Sequence, residues 1–230
     1  MAIFDVMGPI MIGPSSSHTA GAAKIGYLAQ RVYGKPVRRV RIVLYNSFAE
    51  TGRGHGTDKA ILGGIMGLRV DDPQIKRSYD IAAQAGVDVV FEDAIDLEKH
   101  PNCASITFSD LDGGHPFVVE GISVGGGSVK IVGINGARVD FSGKHNLLFV
   151  AYRDVPGMMA LLGDALGARH INIAYAQISR DKNSGDAMAI MKLDQPCPDD
   201  LADYFRSNTD VTDVVTISKL GTEYERAEED

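Results

Sequence analysis

The order of the elements predicted between residues 146 and 220 constrains the fold of this chain more than any other feature of its sequence. Apolar residues in short alternating or continuous runs predict strands, and apolar residues at helical spacing predict helices. The predicted order is strand, helix, strand, strand, helix and strand, over 147–152, 157–166, 171–180, 186–193, 199–207 and 211–218. Such a βαββαβ order folds into a four-stranded antiparallel sheet with both helices on one face.

The residues before this segment have a different composition, and the change near residues 142–146 predicts a domain boundary. They are rich in glycine, and the strands predicted from 104 to 141 are separated by glycine turns, of which Asn135-Gly136 is typical of a type I′ hairpin. We therefore expect an α+β protein in which a mixed α/β domain (1–145) precedes a ferredoxin-like βαββαβ domain (146–220) and an acidic tail (221–230).

The densest polar cluster lies near the N-terminus, in Gly13-Pro14-Ser15-Ser16-Ser17-His18-Thr19-Ala20-Gly21. An apolar stripe at helical spacing follows it and ends before Gly34, which suits the left-handed position after a helix. The hydroxyls and His18 are therefore expected at a helix N-terminus, where free amides and the helix dipole attract anions. A single serine there is an ordinary cap, but three serines and a histidine exceed what capping requires. We interpret the segment as a pocket for a small carboxylate.

A second polar segment, Gly52-Arg53-Gly54-His55-Gly56-Thr57-Asp58, follows a predicted strand that runs toward Phe48. We expect a loop over Ala49–Gly56 and then a helix over Lys59–Leu68, with Thr57 or Asp58 as its cap. His18 and His55 thus share a context, and an imidazole near its ordinary pKa can accept or donate a proton at neutral pH. A hydrogen-bonded structural histidine is the alternative for each.

Composition excludes several classes of function. The formal net charge of −7, with acidic residues gathered in the tail, argues against a nucleic-acid partner or an anionic membrane surface. Neither a membrane-spanning run nor a signal peptide is visible, so we expect a cytoplasmic protein. Cys103 and Cys197 lie far apart and form no metal-binding motif. This chain is therefore expected to hold no metal and no iron–sulfur cluster by itself.

The second domain resembles an ACT domain, the small regulatory module of many amino-acid enzymes. The resemblance rests on Asp154-x-Pro156-Gly157, on the helix that follows it and on Ile171-Asn172-Ile173. ACT domains usually pair edge to edge and bind amino acids at the joint. The resemblance implies a homodimer of the isolated chain through this domain and an effector site, or assembly without a ligand. The implied effector-binding residues are Asp154, Gly157, Met158 and Asn172.

The two polar segments ahead of an ACT-like module resemble the β chain of bacterial iron–sulfur L-serine dehydratase. In two-chain members the β chain carries a so-called allosteric-substrate-binding domain, and a separate α chain carries the cluster cysteines. The resemblance implies a lyase subunit, inactive alone, that converts L-serine to pyruvate and ammonia with a 4Fe-4S cluster ligated by the α chain. Some phosphoglycerate dehydrogenases share this domain pairing, but no dinucleotide-binding Gly-x-Gly-x-x-Gly unit precedes it here.

Within that resemblance His18 and His55 are expected to be acid–base or orienting groups. The hydroxyls expected to orient the carboxylate of L-serine are those of Ser15, Ser16, Ser17, Thr19 and Thr57. Both segments are expected to lie close together, open to solvent, and to form one half of a site that the α chain completes. The alternative is a non-catalytic regulatory subunit in which the same residues bind an amino acid as an effector.

Overall fold

The described part of the chain consists of two compact units. A computed structural model describes residues 15–110, 116–181 and 185–219. The first unit lies within residues 1–142 and the second is Gly143–Leu220. Gly13, Pro14, His115, which the sequence predicts in a turn, and the predicted acidic tail lie outside the described residues.

The first unit is built on a sheet that, within the described residues, has six strands in the order β2-β1-β3-β4-β5-β6. β1 pairs with β2 in parallel, and the other described neighbours are antiparallel. The strands are β1 (Arg39–Tyr45), β2 (Asp88–Ala94), β3 (Cys103–Ser109), β4 (Phe117–Gly125), β5 (Ser128–Ile134) and β6 (Ala137–Phe141). The helices are α1 (Ala22–Tyr33), α2 (Ser47–His55), α3 (Thr57–Ile65) and α4 (Ser78–Gln84).

Local signals in the sequence account for most of these boundaries. Gly34 ends α1 in the left-handed conformation, with φ of 68°. Asp72 caps a 3-10 turn, Pro73–Arg77, through an Oδ1 atom that accepts a hydrogen bond from the amide of Gln74 at 2.8 Å. Asn135 and Gly136 both have positive φ, 48° and 80°, which a type I′ turn requires. The roles of Gly34 and of Asn135-Gly136 were predicted from residue type alone.

The prediction of a loop over Ala49–Gly56 is wrong, because α2 occupies this segment as far as His55. Phe48 is fully buried and anchors the first turn, and the low helix propensity of the glycines is overridden by this packing. Gly56, with φ of 69°, separates α2 from α3. Since Gly56 occupies the position before α3, the predicted cap by Thr57 or Asp58 is also wrong, and α3 begins at Thr57.

The tightest contact in the first unit is the crossing of α1 and α3. A Cβ atom on Gly26 would overlap the carbonyl of Ile61, and one on Gly64 would overlap the carbonyl of Ala23. Because glycine has no Cβ, the two helix backbones touch directly at this point. The crossing lies close to both polar segments, which immediately precede α1 and α3.

The second unit has the predicted βαββαβ order. Its sheet, as far as the structure describes it, has four antiparallel strands in the order β10-β7-β9-β8. The elements are β7 (Asn146–Arg153), α5 (Met158–Ala168), β8 (Ile173–Asp181), β9 (Asp186–Leu193), α6 (Asp199–Arg206) and β10 (Val211–Ile217). Leu148, Met191, Leu162 and Phe205 meet in one core between sheet and helices. The expected fold class, mixed α/β followed by a ferredoxin-like unit, is confirmed.

We expect Gly64→Ala to destabilise the chain by about 1 to 3 kcal/mol, because the added methyl group must push the α1 backbone away. Gly54→Ala is the matched control in α2, where a Cβ would meet nothing within 4 Å. It should leave stability unchanged or raise it by up to about 1 kcal/mol. Urea unfolding followed by circular dichroism measures both, and equal effects of the two substitutions would contradict this view of the helix crossing.

Candidate functional site

The first polar segment forms a π-helical turn, Ser16–Gly21, that leads directly into α1. Ser15 caps it, since its Oγ atom accepts a hydrogen bond from the amide of His18 at 3.1 Å. The turn packs so closely against β4 that a Cβ atom on Gly21, its last residue, would overlap the hydroxyl of Ser123 in that strand. Single π-helical turns widen the backbone and occur mostly at functional sites.

His18 is held by hydroxyl groups on both of its ring nitrogens. Its Nδ1 atom lies 2.9 Å from Ser17 Oγ and 3.4 Å from Ser15 Oγ. Its Nε2 atom lies 3.2 Å from Ser47 Oγ at the start of α2. The ring of Phe48 meets the imidazole edge-on, with the two ring centroids 5.2 Å apart. Since a hydroxyl can donate or accept, these contacts orient the ring in either neutral tautomer.

His55 lies beside His18, so the structure brings the two polar segments together. The centroids of the two imidazole rings are 5.2 Å apart. His55 Nδ1 lies 3.0 Å from the carbonyl oxygen of Thr51, which can only accept, so Nδ1 carries the proton and Nε2 of the neutral ring has a free electron pair. Thr19 donates its hydroxyl hydrogen to the carbonyl of His55 at 3.2 Å. Both imidazoles are half-buried rather than fully open to solvent.

Burial lowers the pKa of His18 below its ordinary value of 6.5. A hydrogen bond at the backbone of Ser47 acts in the opposite direction, and the neighbouring His55 lowers the pKa further, because two positive charges would repel each other. His18 is therefore neutral at neutral pH. A neutral, oriented imidazole can accept a proton.

The five predicted hydroxyl groups divide into two sets. Ser15, Ser16 and Ser17 are half-buried, and Ser15 Oγ lies 3.3 Å from Ser17 Oγ. Thr19 and Thr57 are buried. The Thr57 Oγ1 atom has no hydrogen-bond partner among the described residues. The serines are thus placed to meet a small molecule, whereas the threonines lie beneath them.

Sequence reasoning missed Ser47 and Phe48, which contact His18 from the start of α2. The predicted strand ran toward Phe48, whereas β1 ends at Tyr45 and a helix begins at Ser47. The signal that could have located them is Asn46, a residue type that tolerates positive φ and has φ of 51° here. A turn at this position directs the next residues back toward the first polar segment.

The other histidines that the structure describes, His100, His145 and His170, and both cysteines lie outside this group. His100 accepts a hydrogen bond from the amide of Asn102, and His145 is exposed. Burial raises the pKa of Cys103 to about 12 and that of Cys197 to about 11, so both thiols are protonated at neutral pH. Across residues 15–110, 116–181 and 185–219, no three His, Cys, Asp or Glu side chains are close enough to hold a metal ion.

The second unit contains a pocket of about 500 Å³ between the start of α5 and β8. Three of the residues that the resemblance implies for effector binding, Asp154, Gly157 and Met158, line it together with Arg180. Asp154 forms an ion pair with Arg180, with Oδ2 and Nε 3.1 Å apart, and Gly157 has φ of 95°, which a residue with a side chain rarely adopts. Asn172 does not line this pocket. It lies directly before the first residue of β8, at the opposite end of this strand from Arg180. Its side-chain Nδ2 atom donates to Asp194 Oδ2 at 2.7 Å.

Comparison with known proteins decides the family. The sequence model of the serine dehydratase beta chain matches residues 2–78. A probable L-serine dehydratase beta chain of Bacillus subtilis is 38% identical over 219 residues, which cover 94% of this chain and 98% of that protein. The chain belongs to the serine dehydratase beta chain family. An L-serine dehydratase beta chain of Peptoniphilus asaccharolyticus is also 38% identical, over 86% of this chain and 89% of its own.

The expected family is therefore confirmed. A D-3-phosphoglycerate dehydrogenase of Bacillus subtilis is 26% identical over 86% of this chain, but the match spans 37% of that enzyme. This partial match agrees with a module that occurs in larger enzymes. In the described ranges, every helix is too short or too polar to cross a membrane.

We expect the pKa of His18 in the isolated chain to lie below 6.5, and His55→Gln to raise it, because the substitution removes a neighbouring charge. Ser47→Ala should change the pKa less than His55→Gln does, because the hydrogen bond at Ser47 that raises the pKa is made by its backbone, which the substitution keeps. Histidine titration by nuclear magnetic resonance measures each value. A His18 pKa that His55→Gln leaves unchanged would contradict the geometry described above.

Proposed function

We propose that this chain is the β subunit of an L-serine dehydratase and converts L-serine to pyruvate and ammonia together with an iron–sulfur α chain. The observation that carries the proposal is the pair of adjacent imidazoles, His18 and His55, beneath the serine hydroxyls of the π-helical turn. Membership of the family supports it, because two relatives are L-serine dehydratase beta chains by name.

The reaction sets three tasks. The substrate carboxylate must be held, the poorly acidic α-proton must be removed, and the hydroxyl must depart. The hydroxyls of Ser15, Ser16 and Ser17 are hydrogen-bond donors for the carboxylate, at the N-terminal side of α1 where the helix dipole favours an anion. Neutral His18, with its lowered pKa, is suited to accept the α-proton. His55 is suited to take a proton from His18 or to orient the substrate.

The residues described in this chain do not fit an iron–sulfur cluster. Cys103 is buried with a raised pKa, and Cys197 belongs to the second unit. Cluster ligands must be thiolates, and several of them must converge. The proposal therefore assigns the cluster to the α chain, where it would act as a Lewis acid on the substrate hydroxyl. This chain contributes the carboxylate site and the imidazoles, and it is inactive alone.

The second unit is assigned to assembly and to effector binding as an ACT domain. β8 is an edge of the described sheet, with Tyr175 49% and Ile178 46% exposed, and an unpaired edge can accept a strand from a second copy. The pocket with Arg180 and Asp154 lies against the same strand. Arg180 presents a guanidinium group that can bind the carboxylate of an amino acid.

His18→Ala and His55→Ala should each lower the turnover of L-serine by about 10²- to 10⁴-fold in the reconstituted complex, which is the usual effect of losing an acid–base group. The measurement is pyruvate formation after anaerobic mixing with the α chain. His145→Gln, at an exposed histidine of the second unit, is the matched control and should retain full activity.

The alternative of a regulatory subunit without catalytic residues makes the opposite prediction. Both histidine variants would then keep the full turnover number and lose only the response to added amino acid. That result would refute the catalytic assignment of His18 and His55.

Arg180→Gln should weaken binding of L-serine, as an effector, to the second unit by about tenfold, because the ion pair between Arg180 and the carboxylate of the bound L-serine is lost. Arg169→Gln is the control, because Arg169 also pairs with an aspartate of the second unit, Asp200, but does not line the pocket. Isothermal titration of a chain carrying Ser16→Ala and Ser17→Ala, which removes hydroxyls assigned to the carboxylate in the first unit, isolates the site of the second unit. Equal affinities of the two arginine variants would contradict the effector assignment.

A further inference from the structure

The most exposed large apolar side chains described in the first unit collect at one end of its sheet. Leu97 is 92% exposed, Ile95 73% and Val124 49%. Isolated exposed apolar residues are common on any protein surface. Three at the same sheet end form a concentration, and such patches mark interaction sites. We refer to Ile95, Leu97 and Val124 as the sheet-end patch.

Strand register places these three residues at the same end of the sheet. The ends of β1 and β2 coincide, because Tyr45 pairs with Ala94. The start of β3 lies at the same end of the sheet, and its first residue, Cys103, pairs with Ile122 near the end of β4. Ile95 and Leu97 follow β2, and Val124 lies two residues beyond Ile122. With strands about 4.8 Å apart, the patch spans roughly 14 Å across the sheet.

The same sheet end carries the candidate site. Ser47 and Phe48, which contact His18, directly follow the end of β1. Gly21 at the end of the π-helical turn packs against Ser123, the residue before Val124. The sheet-end patch is therefore adjacent to the imidazoles and hydroxyls described above.

The loop that presents Ile95 and Leu97 is held rigidly by one side chain. Asn46 Nδ2 donates to the carbonyls of Asp96 at 2.7 Å and Lys99 at 3.2 Å, and its Oδ1 accepts from the amide of Asp96 at 2.9 Å. Lys99 also pairs with Glu120 at 2.6 Å. Exposed apolar side chains on an ordered loop do not stabilise the isolated chain. When a partner binds such a loop, however, no conformational entropy is lost in ordering it.

Asn46, Ser47 and Phe48 connect this loop to the imidazole. Asn46 binds the loop, Ser47 contacts His18 Nε2, and the amide of Phe48 donates to the carbonyl of Pro101 at 3.3 Å. A partner seated on the loop would therefore lie next to Asn46, which directly precedes the two residues that contact His18, Ser47 and Phe48. The loop also carries two acidic residues, Asp96 and Glu98, on either side of Leu97.

We propose that the sheet-end patch is the docking surface for the iron–sulfur α chain, which would cover it with an apolar pocket rimmed by basic side chains. The inference rests on the proposed function, because a half-site next to an exposed apolar patch needs a partner that completes it. Docking at this point would bring the α chain over the His18 and His55 pair.

The test is the affinity of this chain for the α chain, measured anaerobically by biolayer interferometry. Leu97→Asp should raise the Kd by about tenfold or more, as expected for a charge introduced into an apolar anchor. Leu97→Met should stay within about twofold of the unmodified chain, because it keeps the apolar contact. Val90→Asp is the matched control, since Val90 is 41% exposed but lies in the middle of β2.

Turnover and self-association separate the outcomes. An excess of the Leu97→Asp chain should restore the turnover number of the complex, because Leu97 does not belong to the site. An unchanged Kd for Leu97→Asp would overturn the docking proposal, and so would a change confined to self-association of this chain. If the unmodified chain neither binds nor activates the α chain, the proposed function itself fails.

Discussion

The candidate site depends on the close contact between α1 and α3. Gly26 and Gly64 let the two helix backbones touch, because a Cβ on either would overlap a carbonyl of the other helix. His18 lies eight residues before Gly26, and His55 lies nine residues before Gly64. A packed helix crossing has little freedom to shift. The crossing therefore fixes the starts of α1 and α3, which directly follow the π-helical turn that carries His18 and the Gly56 turn that follows His55.

The surroundings of His18 favour a neutral base without help from a carboxylate. A neighbouring aspartate would orient the ring but would also raise its pKa, because it stabilises the charged form. Here hydroxyl groups of Ser17 and Ser47 orient both ring nitrogens and add no charge. Burial and the nearby His55 keep the pKa below its ordinary value. The imidazole of His18 can thus be oriented and neutral at the same time.

Each of the two units exposes features that are suited to binding other molecules. The first presents half-buried hydroxyls and imidazoles beside exposed Ile95 and Leu97. The second presents an edge strand and a pocket with an Arg180–Asp154 pair. Neither exposed apolar side chains nor unpaired strand edges add stability to the chain that carries them. The two proposals above assign each of these surfaces to a partner that would cover it.

The sequence by itself determined the features that rest on local preferences. The alternation of apolar residues gave the order of elements in the second unit, and predicted strand ends lie within two residues of the observed ones. Gly34 and Asn135-Gly136 terminate or turn the chain as their residue types require. The resemblance to an ACT domain implied Asp154, Gly157 and Met158 as neighbours of one ligand, and these residues, which are close in sequence, line one pocket.

Only the tertiary structure decided the rest. α2 forms because Phe48 is buried, against the preference of its glycines, and no local pattern reports that burial. Asn172 was grouped with the pocket by motif, but the length of β8 carries it away from the lining residues. The contacts of Ser47 with His18, and of Asn46 with the loop of Leu97, join residues that are distant in sequence. Such contacts depend on how strands and helices pack, so residue order alone does not specify them.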